Sequence, residues 1–199
     1  MTLVELPGYL FKWQYVRAEW TLAGSMLMIR DVNMTKKIVN IEDPSLTLTE
    51  RQHNEKFKAR TVDLSGLLPA QKLGYRVVHV DPGYRAWPFH SHRVNEEMFF
   101  ILEGQGLVRI GEESFSITKG DVICAPAGGT EHAHQILNNS DNTLSYLCIS
   151  TMEAPDVMEY PDSGKFGVFV GTAPGGPSEE RTFSFFGRES SAVSYWDDE

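Results

Sequence analysis

Several features that would indicate a polymer-binding, membrane or secreted protein are missing from this 199-residue sequence. It has no run of basic residues and a formal net charge of −9, so nucleic acid and anionic membranes are poor partners. The longest apolar stretch near the start, around residues 25–29, is far too short to span a bilayer. Because there is no disulfide framework and no charged-then-apolar leader, we expect a cytoplasmic location.

Cysteine is scarce, with only Cys124 and Cys148 in the whole chain. Both fall inside segments that we predict to be strands. Free cysteines in such positions usually behave as small hydrophobic residues, so we expect both to be buried.

Histidine is also rare, but it is concentrated in one region. Five of the six histidines lie between residues 79 and 134, the exception being His53. His90 and His92 are two residues apart, which in a strand puts both imidazoles on one face. Together with Glu97 and His134 they offer three imidazoles and one carboxylate. This donor set suits one divalent transition-metal ion, such as Fe, Mn, Ni, Zn or Cu.

The region around these residues has the pattern of short strands separated by turns. In the apolar run 97–102 the alternate positions Glu97, Phe99 and Ile101 share one face. Gly104-Gln105-Gly106 supplies a tight turn with a positive φ angle. Short strands at intervals of about ten residues, with Gly, Pro and Asn between them, predict an all-β jelly-roll barrel. The predicted strands are 76–80, 97–102, 107–110, 114–118, 122–125, 133–137, 144–150 and 166–170.

Residues 73–152 resemble a single-barrel cupin of the type-2 group, similar to uncharacterised bacterial members of the cupin superfamily. The first cupin motif is matched by Gly83, His90, His92, Glu97 and Gly104. The second motif is matched by Gly120, Pro126, Gly128, His134 and Asn138. The resemblance implies a jelly-roll barrel that holds one divalent metal ion through His90, His92, Glu97 and His134.

Two spacings depart from the cupin pattern. The interval from Gly83 to His90 is one residue longer than usual, and the interval from Gly128 to His134 is also longer. The second departure leaves His132 as an alternative third imidazole, or as a neighbour of the site with the same strand parity. We favour His134 because its three-residue gap to Asn138 fits the motif.

The sequence divides into four segments. Each motif occurs once and no histidine follows Met152, so we predict one barrel at 73–152, after an extension with edge strands at 34–72. Met34 resembles a natural start. Residues 1–33 are therefore either upstream of the native start or an arm whose aromatic residues pack on the barrel or on a partner subunit. Residues 153–199 are expected to wrap the barrel, with a short helix at 188–196.

The C-terminal segment carries a second interpretation. Phe183, Phe185 and Phe186 could form a lid over the metal site, although packing against the barrel is the favoured interpretation.

The resemblance narrows the function to a class. Cupins include dioxygenases, isomerases, decarboxylases and lyases, and also proteins that only bind small molecules, so the fold does not choose among them. We predict a metal-dependent enzyme that acts on a small organic molecule, with dioxygenase-type chemistry as the lead. The alternative is a non-catalytic small-molecule-binding or sensor protein with a structural metal. A homodimer is expected, since single-barrel cupins commonly pair.

Overall fold

Thirteen antiparallel β-strands account for most of the regular structure in the computed structural model, which describes residues 36–199. The predicted all-β jelly-roll barrel is confirmed. The expected arm at 1–33 and the start at Met34 lie outside the described residues. In chain order the strands, β1 to β13, are Thr49–His53, Phe57–Asp63, Leu73–Val80, Ser91–His92, Glu97–Glu103, Gln105–Ile110, Glu113–Thr118, Val122–Ala125, His134–Leu137, Leu144–Thr151, Asp156–Tyr160, Lys165–Val170 and Phe183–Gly187.

The strands form three sheets. The largest has the order β1-β2-β3-β10-β5-β8, and a second has the order β7-β6-β9. The third, β13-β12-β11-β4, joins the C-terminal strands to the short strand Ser91–His92. This pairing is direct, because Met158 on β11 lies opposite His92 on β4. The C-terminal segment therefore continues the sheet that carries a predicted metal ligand.

The core is built from alternating strand positions. On β5 the side chains of Phe99 and Ile101 are buried, whereas Phe100 between them points outward. Val78 on β3 and Leu144 on β10 are fully buried against the same cluster. The predicted inward face of β5 is confirmed, and it leads from the core to Glu97.

The turn predicted at Gly104 is also present. Its φ angle is +84°, and a Cβ atom there would lie 2.5 Å from the carbonyl oxygen of Thr143. A side chain is therefore excluded by both the backbone conformation and the space. This glycine lets β5 turn directly into β6.

Two expectations about other segments need correction. Cys124 is exposed, because burial alternates along β8 and places Ile123 and Ala125 inside and Cys124 outside. The short helix expected at 188–196 is reduced to a single 3₁₀ turn, Glu189–Ser191. Three of the nine residues in this stretch are serines, and their hydroxyl groups compete for backbone hydrogen bonds.

The other described helical pieces are equally short, namely the 3₁₀ turns Thr130–His132, Pro161–Ser163 and Ser178–Glu180. Within residues 36–199 no helix has the length and apolar character needed to cross a membrane.

The core assignment predicts a clear difference between two aliphatic truncations. Ile101 is fully buried, so Ile101→Ala should lower the free energy of unfolding by about 2–5 kcal/mol. Val122 on β8 is 65% exposed, so Val122→Ala should change it by no more than about 0.5 kcal/mol. Urea unfolding followed by circular dichroism measures both changes. Equal effects of the two substitutions would contradict the assignment.

Candidate metal centre

The backbone brings two of the predicted ligands face to face. His90 and His134 form an antiparallel bridge, with His90 N–H donating to the His134 carbonyl at 3.2 Å and the reverse bond at 2.8 Å. His92 follows two residues later on β4. Glu97 begins β5, opposite Ala125 on one side and Ser150 on the other. The fold thus brings together predicted ligands from separate stretches of the chain.

The donor atoms converge on the Glu97 carboxylate. Its Oε2 atom lies 2.8 Å from His134 Nε2, 3.5 Å from His92 Nε2 and 3.7 Å from His90 Nε2. The ligand atoms of His90, His92 and Glu97 are all within 4.8 Å of one another, so these three could hold a metal ion. The ring centroid of His134 is 4.7 Å from that of His90 but 6.5 Å from that of His92. His134 therefore reaches the group from the side of Glu97 and His90.

Hydrogen bonds to the outer ring nitrogens orient the three imidazoles. His90 Nδ1 lies 2.7 Å from the carbonyl oxygen of Pro88, which can only accept a hydrogen bond. His92 Nδ1 lies 2.7 Å from Asp156 Oδ2, and His134 Nδ1 lies 3.3 Å from the His132 carbonyl. These contacts place a proton on Nδ1 and turn Nε2 towards the other donors. For His90 this leaves Nε2 free to act as a metal ligand, whereas Nε2 of His134 donates to Glu97 Oε2 at 2.8 Å, and metal binding would replace that hydrogen bond.

Asp156 is the functional residue that sequence reasoning missed. Its side chain is completely buried and accepts hydrogen bonds from His92 Nδ1, from Asn95 Nδ2 at 2.9 Å and from the Val94 N–H at 3.0 Å. Asn95 is buried as well, and its Oδ1 accepts from the Glu153 N–H at 2.7 Å. A carboxylate behind a ligating histidine is a common way to fix the ring and raise its basicity.

The electrostatics of the group follow from burial and these contacts. Burial, together with the charge of His134, lowers the pKa of His90 to about 3, which keeps this imidazole neutral. Burial opposes the charge on His92, but hydrogen bonds to Asp156 and Glu97 raise its pKa to about 9. Burial would raise the pKa of Glu97, yet hydrogen bonds from His134 and His92 hold it well below its usual range. The carboxylate is thus ionised and available as a ligand, and metal binding would displace the His92 proton.

The side chain of His132 does not lie on the same strand face as His134, although strand alternation predicts that it should. It ends the 3₁₀ turn Thr130–His132, its side chain is 40% exposed, and its Nε2 lies 3.8 Å from Glu131 Oε1. Strand β9 begins only at His134, so strand alternation does not extend back to His132. The side chain of His132 does not line the cavity, and this residue contributes only the carbonyl oxygen that faces His134.

A cavity of about 240 Å³ lies beside the four predicted ligands. The barrel contributes Trp87, Phe99, Gln135, Tyr146 and Cys148 to its wall. The C-terminal segment contributes Met158, Tyr160, Phe169 and Arg181. Phe183, Phe185 and Phe186 do not line it; they lie on β13 and remain about half exposed. The C-terminal segment therefore lines the cavity through residues that precede Phe183, and not through the three phenylalanines of the expected lid.

The donor set fits a divalent transition metal. Three imidazoles with their Nδ1 atoms engaged and one ionised carboxylate present borderline ligands on one side of the cavity. The cavity lies next to them and leaves space for a small molecule. The arrangement can therefore bind a metal ion and a ligand side by side.

Comparison with known proteins agrees with the fold. Residues 76–150 match the model of a family described as Cupin domain. An uncharacterised protein of Methanocaldococcus jannaschii is 39% identical over 61 residues, which is 31% of this chain and 46% of that protein. The chain thus spans less than half the length of the curated relatives it matches.

Two solved structures resemble a larger part of the chain. A protein of Acidithiobacillus ferrooxidans, provisionally described as a sugar phosphate isomerase, has a TM-score of 0.64 and 20% identity, with 82% of this chain and 98% of that chain covered. A sugar phosphate isomerase of a cupin superfamily from Silicibacter pomeroyi has a TM-score of 0.59 and 18% identity, with 77% and 94% covered. At these identities the likeness is one of fold.

The role of Asp156 can be tested by removing its charge. Asp156→Asn should weaken binding of Zn²⁺ or Mn²⁺ by roughly 10- to 100-fold, because His92 loses the carboxylate that orients it. Competition with a chromophoric chelator measures the dissociation constant. Asp63→Asn is the matched control, since Asp63 is exposed on β2 and lies outside the cavity wall. Unchanged affinity in Asp156→Asn would contradict the assignment.

Proposed function

Residues 76–150 form a cupin domain, and from this premise we propose that the protein is a metal-dependent enzyme acting on a small organic molecule. One observation carries the proposal. A cavity of about 240 Å³ lies directly beside His90, His92, Glu97 and His134. A purely structural metal site would be expected to be closed and filled by apolar side chains. The cavity therefore counts against a metal that is only structural, and turnover distinguishes an enzyme from the alternative, a non-catalytic binding or sensor protein.

In this proposal His90, His92, Glu97 and His134 hold one divalent ion. When bound, such an ion supplies Lewis acidity and, if it is redox-active, electron transfer between a substrate and O₂. The chain keeps His90 and His92 in the correct tautomers through Pro88 and Asp156. The chain also places the buried apolar side chains of Phe99 and Phe169 in the wall of the cavity beside the ligands.

Tyr160 is the group best placed to assist a reaction. It lines the cavity, and its ring centroid lies 6.2 Å from that of His90. Its hydroxyl donates only to Met158 Sδ, at 3.4 Å, and a thioether is a weak acceptor. Burial and the charge of Asp156 raise the pKa of Tyr160 to about 12, so the hydroxyl stays protonated. It can therefore donate a hydrogen bond to a substrate oxygen.

The composition of the cavity wall favours oxidation by O₂. Among the described residues that line it, Glu97 is the one carboxylate, and there is no lysine. Proton abstraction requires a base with a pKa near the working pH, and Glu97 is committed as a ligand. Oxidation by O₂ depends less on a side-chain base than a reaction that begins with proton abstraction. Dioxygenase chemistry is thus the first candidate.

Isomerisation is the second candidate, and Tyr160 is the observation that favours it. A protonated hydroxyl beside the ligand group could exchange a proton with a carbonyl or enediol oxygen. The two solved structures with the fold likeness are described as sugar phosphate isomerases. Homodimerisation and a cytoplasmic location stay predictions.

The ligand assignment predicts a contrast among histidine variants. His92→Ala and His134→Ala should each lose most of the bound metal, because each removes an imidazole that faces Glu97. His132→Ala should retain it, since the His132 side chain lies outside the cavity. Metal analysis of protein purified without chelators or a histidine tag measures all three. Full metal content in His92→Ala would refute the assignment.

The reaction class can be tested by exchanging the metal. Protein loaded with Fe²⁺ or Mn²⁺ should consume O₂ with a member of a panel of small organic acids, enediols and phenols, and Zn²⁺-loaded protein should not. An oxygen electrode measures consumption, and His92→Ala is the control. Interconversion of a panel compound without O₂ uptake, detected by NMR, would replace the first candidate by the second. Binding without conversion would favour the non-catalytic alternative.

A further inference from the structure

Two arginines of the cavity wall have not been given a role. Arg76 lies on β3, and Arg181 follows the 3₁₀ turn Ser178–Glu180 in the C-terminal segment. Neither guanidinium forms an ion pair with a carboxylate of residues 36–199. Three other arginines do, through the pairs Arg60–Asp81 at 2.7 Å, Arg93–Glu159 at 2.6 Å and Arg109–Asp162 at 2.9 Å. Two positive charges without a carboxylate partner among the described residues thus share one cavity.

Both guanidinium groups are positioned by aromatic rings. Arg76 Cζ lies 5.9 Å from the ring centroid of Trp87, and Arg181 Cζ lies 5.0 Å from that of Phe169. Trp87 and Phe169 also line the cavity. Arg76 Nη2 donates to the Gly175 carbonyl at 3.0 Å, which uses one of its five N–H groups. Each guanidinium thus lies at cation–π distance from a ring and keeps N–H donors that a ligand can use.

Arg181 lines the cavity but forms no ion pair with a described carboxylate. Its Nε atom is buried without a hydrogen-bond partner in the part of the chain that the structure describes, as is the Nε atom of Arg85, so a ligand would bind to the terminal nitrogens of Arg181. The partners that fit a guanidinium best are carboxylate and phosphate oxygens.

The charged residues of the cavity wall also favour an anionic ligand. Glu97 is the one acidic residue among the described lining, and it faces the three imidazoles. Once a divalent ion sits on Glu97, the cavity with Arg76 and Arg181 is net positive. The chain as a whole carries −9. A local charge opposite to the overall charge favours anions at this one place on the molecule.

The cavity has room for a small ligand. Its volume of about 240 Å³ accommodates a small acid or a short phosphate ester.

We propose that this cavity takes a small anionic substrate, whose carboxylate or phosphate group binds to Arg76 and Arg181 and whose other end reaches His90, His92, Glu97 and His134. This inference rests on the proposed function only for the contact with the four predicted metal ligands. The arginine contacts do not require a metal ion.

Isothermal titration calorimetry with succinate and with inorganic phosphate tests the proposal. Succinamide serves as the neutral control, and metal-loaded and metal-free protein are both titrated. At least one anion should bind the wild type, more weakly at higher NaCl concentration, and succinamide should not. Which anion binds distinguishes a carboxylate from a phosphate site.

The variants connect binding to the arginines. Arg76→Gln and Arg181→Gln should each weaken binding at least tenfold while keeping the metal content of the wild type. Arg51→Gln should change it less than twofold, since Arg51 is exposed on β1 outside the cavity. If either Gln variant fails to fold, Arg→Lys at the same position keeps the charge without the planar fork and should weaken binding at least threefold.

The outcomes separate the two proposals. Absence of binding by both anions, or equal binding by wild type and both arginine variants, overturns the anion site. Arginine-dependent binding in protein that takes up no metal supports the anion site and refutes the metal-dependent function. Metal uptake without anion binding refutes the anion site and leaves the metal-dependent function supported.

Discussion

The hydrogen bond between Asp156 and His92 joins the two parts of the site. It connects β11 to β4 across 64 residues of sequence, and it lies where burial is complete for the carboxylate. A buried charge without partners would cost several kcal/mol, on the order of 3–5 kcal/mol when a partner is removed. Here the cost is offset by donors from His92, Asn95 and the Val94 backbone. These contacts therefore orient His92, a predicted metal ligand, and help to hold the C-terminal segment, which is also paired with β4 through its backbone.

The barrel and the C-terminal segment contribute different residues to the site. The barrel supplies the imidazoles and the carboxylate, from β4, β5, β9 and the residue just before β4. The tail supplies part of the wall, including Tyr160, Phe169 and Arg181. Groups that could hold a metal and groups proposed to select a ligand therefore come largely from different stretches of the chain. The hydrogen bond between His92 and the Asp156 carboxylate connects the two sets.

Local spacing encodes the part of the structure that can be predicted from the sequence. The alternation on β5 and the turn at Gly104 depend on neighbouring residues, and both are present. The bounds of β8 agree with the predicted 122–125, since Pro126 follows this strand directly. The motif spacing also identifies His90, His92 and Glu97, which meet as a group that could hold a metal.

The parts of the structure that could not be predicted depend on contacts between segments that are distant in sequence. Strand β11 buries Asp156, Met158 and Tyr160 on one face, and this mixture of polar and apolar residues shows no hydrophobic alternation. Nothing near Asp156 in sequence marks it as the partner of His92. The expected burial of Cys124 is wrong for a related reason: its exposure depends on which face of β8 meets the core.

The order of the chain has a consequence for biosynthesis. The ribosome adds His90, His92, Glu97 and His134 before Asp156, because synthesis runs from the N-terminus. All four donor side chains therefore exist on the nascent chain while His92 still lacks the carboxylate that orients it. Until β11 emerges and pairs with β4, the donors are present without their final arrangement. The ligand geometry is thus completed only after most of the barrel has left the ribosome.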